Sequence, residues 1–271
     1  IIIIVFSLHR YHPTYLIDPS DYGLEFIDVQ FASRVDHLTL TAWYLPNESI
    51  DRVVILVHGW NANKKDGISG HICELGAKIY GVGFSVMIID LRGHGGSAGN
   101  RYTWGYREKW DVLGAVDFLL DQGFSPGNIG LLGVSLGGVG VIGAAAVESA
   151  IGAVVIDSTF ADLNVLVADK WKEQTGLPLI FYPAALLVWR MVFGFDPKKI
   201  FTAENRTVVT NIAKGLKGNR WGPIIKKYGA WFVPLTRVPF VPYDSLRSKF
   251  LKFKDRELHV LDSKIFPDGF T

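Results

Sequence analysis

The segment Gly133-Val134-Ser135-Leu136-Gly137-Gly138 follows the apolar run Ile129-Gly130-Leu131-Leu132 and precedes the helix-like stretch Val139 to Ser149. A short buried strand therefore runs into small residues and straight on into a helix. The glycines flank the serine because the backbone turns too sharply there for side chains to fit. Such a strand-turn-helix corner lifts one serine hydroxyl above a sheet. Small residues alone would also suit an ordinary tight turn; the strand before and the helix after favour the corner.

The surrounding segments set the frame for that corner. Two alternating runs, Leu24 to Phe31 and Leu38 to Leu45, are separated by Ser33 to His37 and read as a hairpin. Arg52 to His58 is a nearly continuous apolar run of the kind found in strands buried on both faces. A helical segment at about Gly67 to Tyr80, a strand Phe84 to Asp90 and a helix Arg107 to Asp121 follow, and a strand Ala153 to Ile156 comes after the corner. Strands alternating with helices imply right-handed crossovers and a doubly wound, mostly parallel α/β sheet covered on both faces.

Beyond Asp157 the rhythm changes. Leu177 to Phe195 carries one charge, Arg190, among apolar and aromatic residues. Pro178 and Pro183 leave a helix of about eleven residues, too short to cross a bilayer. The segment reads as a small helical cap inserted between about Leu163 and Phe201, with a membrane-contacting lid as the alternative. From Thr202 to Lys227 no period is visible. Val241-Pro242-Tyr243 and Glu257 to Leu261 suggest a return to the sheet.

Composition narrows the function classes. With 271 residues, 49% apolar and 20% charged, the chain can bury a core as one domain with an insertion. A net charge of +2 gives no electrostatic case for nucleic acid, and Lys214, Lys217, Arg220, Lys226 and Lys227 read as a solvated face. The single cysteine, Cys73, excludes an intramolecular disulfide and reads as a small buried hydrophobe. The opening run Ile1 to Leu8 is too short to span a membrane, which takes about 20 residues. Residues 1–12 are expected to be the remnant of an N-terminal membrane anchor, with Arg10 and Tyr11 at the interface. A buried strand or a stub is the alternative. The anchor would make the protein membrane-associated, on a side the sequence leaves open; without it a cytoplasmic location is expected.

His58-Gly59-Trp60 after one strand, Asp90-Leu91-Arg92-Gly93-His94-Gly95 after the next, and the Ser135 corner stand in one order. With Tyr22-Gly23-Leu24-Glu25, Ala42 to Pro46, Gly105 to Glu108 and Asp157-Ser158-Thr159-Phe160, the chain resembles the α/β-hydrolase superfamily, in its BEM46-like and serine-aminopeptidase-like branch, over about residues 20 to 200. The resemblance implies an α/β-hydrolase domain over residues 20–271 and Ser135 as nucleophile. A serine hydroxyl attacks an acyl carbon when a base takes its proton and donors hold the developing oxyanion. The amides of Leu136 and Trp60 are the expected oxyanion donors. His58 is expected to hydrogen-bond locally, His94 to shape the pocket rim and Arg92 to organise its loop.

The remaining catalytic residues depart from the pattern. The branch carries an acid in a stretch such as HGxxDxxVP, yet no aspartate stands three residues before Val233-Pro234, Val238-Pro239 or Val241-Pro242. His259 is the only histidine in the right region, and it falls inside an apparent strand. Asp244 ranks first as the acid, with Asp157 and Asp262 as further candidates. Residues 205–235 could be a reading-frame scar, the triad could be lost, or its members could be displaced. The leading expectation is a serine hydrolase that cleaves an ester, or less readily an amide, of a small hydrophobic acyl substrate through a Ser135 acyl-enzyme. No metal or organic cofactor is implied. The competing expectation is a catalytically impaired pseudo-hydrolase acting as a binding or scaffold protein.

Overall fold

The computed structural model describes residues 17–49, 51–65, 71–157 and 175–200, with positions 159, 163, 168, 171, 172 and 205. The expected anchor remnant, much of the expected insertion, the late basic cluster, Asp244, His259 and Asp262 lie outside these residues. So do the suggested late strands and nearly all of residues 205–235.

Six strands are described: β1 (Ile27–Ala32), β2 (Thr39–Leu45), β3 (Val53–Val57), β4 (Ser85–Ile89), β5 (Ile129–Val134) and β6 (Ile151–Asp157). The helices of three turns or so are α1 (His71–Tyr80), α2 (Glu108–Asp121), α3 (Leu136–Ala145) and α4 (Tyr182–Phe193). The strands form one sheet in the order β1-β2-β4-β3-β5-β6. β1 and β2 pair antiparallel, as do β2 and β4, while β4, β3, β5 and β6 run parallel. The sheet is thus mixed, with a parallel half built from crossovers and the expected hairpin at one edge.

Alternate residues of the strands serve two cores. Val53, Ile55 and Val57 of β3 join Val112, Val116, Val139 and Ile142 of α2 and α3 on one face. Val54 and Leu56 join Ile72, Cys73 and Ile79 of α1 on the other. A strand buried on both sides has no solvent face, which is why its sequence lacks alternation. Cys73 is buried as expected, and burial pushes its thiol up to about 12.

Element boundaries differ from the sequence reading in places: β1 begins at Ile27, where Leu24 was expected. α3 starts at Leu136 and ends at Ala145, where Val139 to Ser149 was expected. Gly137, Gly138, Gly140 and Gly143 weaken local helix propensity. Burial of every residue from Leu136 to Ala144 overrides it. β6 is longer than expected, beginning at Ile151 beyond a register shift at Ile129/Gly130.

Within the expected insertion, α4 begins with Pro183 in its first turn and stops at Gly194, whose φ is 74°. Trp189 and Phe193 are buried, and Phe195 stacks on Tyr106 with ring centroids 4.1 Å apart. Leu187, Val188 and Met191 on the same helix are exposed. Among the described residues, no helix is long and apolar enough to cross a membrane.

Candidate functional site

The chain reverses its direction of travel across the sheet at β3. From β3 it moves to β4 on one side, and α2 then carries it to β5 on the other. In open α/β sheets the crevice at such a switch point, beyond the carboxyl ends of the strands, is where ligands bind. Val57 pairs with Ile89 and with Gly133, and Val134 pairs with Asp157. The segments beginning at His58, Asp90 and Ser135 therefore leave the sheet side by side at this edge.

Ser135 occupies the corner between β5 and α3 with φ 50° and ψ −115°. For a residue with a Cβ this positive φ costs about 1–3 kcal/mol. The surroundings enforce it. The Ser135 N–H donates to the Asp157 carbonyl at 2.8 Å, and α3 starts at once. A Cβ on Gly133 would lie 2.7 Å from the Gly137 carbonyl oxygen, and one on Gly137 would lie 2.4 Å from the His58 carbonyl oxygen. The bare glycines let the first turn of α3 press against the end of β3, bringing Ser135, Leu136 and the His58 loop together. The Leu136 amide is among the first-turn donors of α3, which have no intrahelical acceptor. Trp60 is exposed on the neighbouring loop and stacks on Trp104, ring centroids 6.1 Å apart, with Tyr102 edge-on to Trp104 at 5.3 Å.

A buried polar scaffold supports this edge. The Asp90 carboxylate accepts the Lys64 N–H at 2.6 Å, the Gly96 N–H at 2.8 Å and the Thr41 hydroxyl at 3.1 Å, with the Lys64 ammonium 3.6 Å away. Arg92 does organise its loop. Its guanidinium donates to Asp111 at 2.6–3.1 Å, to Asp36 at 2.7 and 3.1 Å, and to the Ser33 hydroxyl at 2.9 Å. Those bonds hold the Asp36 carboxyl down to about 2. Glu108 is fully buried and accepts the amides of Thr103 and Gly105 and the Thr103 hydroxyl, fixing the turn that carries Trp104.

His58 is locked in place. Its Nδ1–H donates to the Gly59 carbonyl at 2.7 Å, and its Nε2 accepts the Leu91 N–H at 3.1 Å. Burial, then the neighbouring His94, pushes its imidazole down to about 4. An unfolded histidine titrates near 6.5, so between about 6.5 and 4 the unfolded chain binds a proton that the folded chain refuses. Stability is therefore expected to fall as pH drops through that window. Thermal melts at pH 7.5 and 4.5 should show the loss, and His58→Asn should reduce it. An equal loss in the variant would contradict the assignment.

Of the sequence candidates, Ser135, Leu136 and Trp60 lie at this edge, while His259 and Asp244 fall outside the described residues. Sequence reasoning did not single out Asp90, Glu108 and Asp111 as buried acids. Asp90 and Glu108 stood in motifs that carry the resemblance, but nothing in those motifs marks an acid as buried, and Asp111 showed only an acidic residue in a helix's first turn, which surface positions share. Lys64 gave no signal at all. Among the described residues, no group of three His, Cys, Asp or Glu side chains could hold a metal ion.

The sequence profile of the alpha/beta hydrolase family matches residues 54–259. An uncharacterized Mycobacterium tuberculosis protein, Rv2307c, is 31% identical over 153 residues, covering 55% of this chain and 52% of that protein. The uncharacterized protein YqkD of Bacillus subtilis is 24% identical over 174 residues, 64% of this chain and 51% of its own. The chain thus spans about half the length of the curated relatives it matches. The esterase Pf2001 of Pyrococcus furiosus superposes with a TM-score of 0.57 at 24% identity, over 76% of this chain and 73% of that one. The profile match runs from β3 through the serine corner and covers most of the chain, so the chain belongs to the alpha/beta hydrolase family.

Proposed function

We propose that this chain is a serine hydrolase that cleaves an ester of a hydrophobic acyl group through a covalent Ser135 intermediate. The strained Ser135 corner at the sheet's switch point carries this reading. A positive φ on a serine persists where the surrounding structure over-determines it, and such strain gathers at functional sites. The family membership and the fold shared with an esterase support the same chemistry.

In the proposed reaction the Ser135 Oγ adds to the acyl carbon while a base accepts its proton. His259 backed by Asp244 is the pair the sequence offers. The amides of Leu136 and Trp60 hold the oxyanion of the tetrahedral intermediate. Its collapse expels the alcohol, which takes the proton back from the base. Water then adds to the acyl-enzyme by the same route, releasing the acid and restoring Ser135. The aromatic group of Trp60 and Trp104 beside the oxyanion loop, and the apolar α4 segment read as a cap, favour an acyl chain over a polar substrate.

Turnover of p-nitrophenyl acetate, butyrate and octanoate tests the reading. Each buried methylene contributes about 0.8 kcal/mol, so kcat/KM is expected to rise about tenfold from acetate to butyrate. A folded chain that turns over none of them would overturn the proposal and favour a binding protein on a hydrolase frame.

A further inference from the structure

The Gly59–Trp60 peptide is a single trans plane, so its carbonyl and its N–H point in opposite directions. Whatever fixes the Gly59 carbonyl therefore aims the Trp60 N–H. That carbonyl is held by the Nδ1–H of His58 at 2.7 Å. The donor role requires the proton on Nδ1, and the Leu91 N–H, donating to Nε2 at 3.1 Å, requires Nε2 to be bare. The two bonds select one tautomer between them. We infer that His58 is a positioning residue for the oxyanion hole, orienting the Gly59–Trp60 peptide through its Nδ1–H. This inference rests on the proposed serine-hydrolase reading for its catalytic consequence, but not for its geometry.

The same loop is tied at its far end. Asp90 accepts the Lys64 N–H and the Gly96 N–H, linking the loop after β3 to the loop after β4. A Cβ on Gly95, whose φ is +48°, would fall 2.3 Å from an Asp90 carboxylate oxygen. The Asp90 backbone carbonyl accepts the Ser97 hydroxyl at 2.6 Å. The loop is thus anchored by Asp90 at Lys64, and the His58 bond to the Gly59 carbonyl acts at its other end.

Two conservative variants separate the two bonds. His58→Asn keeps a donor near the Nδ1 position and loses the acceptor for Leu91. His58→Gln keeps an acceptor near the Nε2 position and loses the donor to Gly59. With p-nitrophenyl butyrate, His58→Gln is expected to lose about tenfold to a hundredfold in kcat with KM within about threefold, because the lost interaction belongs to the transition state. His58→Asn should stay within about threefold of the unmodified chain. Inhibition by butaneboronic acid, whose tetrahedral adduct places an oxygen in the oxyanion site, should weaken in parallel in His58→Gln alone. Equal kinetics in the two variants would overturn the inference.

Two readouts need no turnover. Amide exchange at Gly59 to Asn61, measured in a Ser135→Ala background, should be faster in His58→Gln than in His58→Asn; equal rates would overturn the positioning role. Imidazole nitrogen NMR of the unmodified chain should show the His58 proton on Nδ1, and a proton on Nε2 would overturn it without any variant. A chain with no turnover but with these two results would defeat the proposed function and leave the positioning role standing.

Discussion

Ser135→Ala is expected to lower ester turnover by a factor on the order of 10⁵ to 10⁶, with any residue coming from the oxyanion donors and substrate binding alone. The magnitude follows from the serine's part in the proposed reaction. With its hydroxyl gone there is no acyl-enzyme, and a water would have to enter a corner shaped for Oγ. Folding should be almost untouched, since alanine meets the same φ of 50° and Ser135 is only half-buried. Ser135→Gly makes the companion test. Glycine adopts positive φ freely, so it should be inactive yet more stable by about 1 kcal/mol. A gain in stability with loss of activity would show that the corner stores strain for its function. Loss of both would show that the serine side chain supports the fold.

Arg92→Ala carries the largest expected effect on stability. Arg92 is 3% exposed and Asp111 is fully buried. Removing the guanidinium leaves the Asp111 carboxyl, among the described residues, with the bond from the Arg92 N–H at 3.0 Å. Breaking a buried pair from one side typically costs about 3–5 kcal/mol. For a domain of this size that is a fall in Tm of about 10 °C. Asp36 would also lose the cation that holds its carboxyl down to about 2. The double variant Arg92→Met with Asp111→Leu removes both charges and should recover most of the loss. Urea denaturation of the three proteins decides it; an Arg92→Ala chain as stable as the unmodified one would refute the account of this network.

The parallel half of the fold was readable because burial leaves a plain mark. β3 and β4 are buried on both faces; β3 is an unbroken apolar run, and β4 is one from Val86 onward, after the buried Ser85. The hairpin was readable from its alternation, and the corner from small residues between a strand and a helix. The start of α3 was not, because Gly137 and Gly138 argue against a helix locally and only packing against β3 and α2 makes one there. The buried acids escaped for a related reason. Asp90, Glu108 and Asp111 acquire their roles from Lys64, Thr103 and Arg92, partners brought together by loops whose paths no periodicity encodes. His58 was read as locally bonded, and the structure adds the identity of both partners. Its link to the Trp60 amide emerges only once the direction of the peptide plane is known.

An activated nucleophile at Ser135 would take up a covalent label, which the mass of the folded chain after treatment with a fluorophosphonate reads out. One phosphonyl group per chain is expected, on the peptide that contains Ser135, and none on Ser135→Ala or on the heat-unfolded chain. A folded chain that gains no mass, or gains it at another residue, would contradict it.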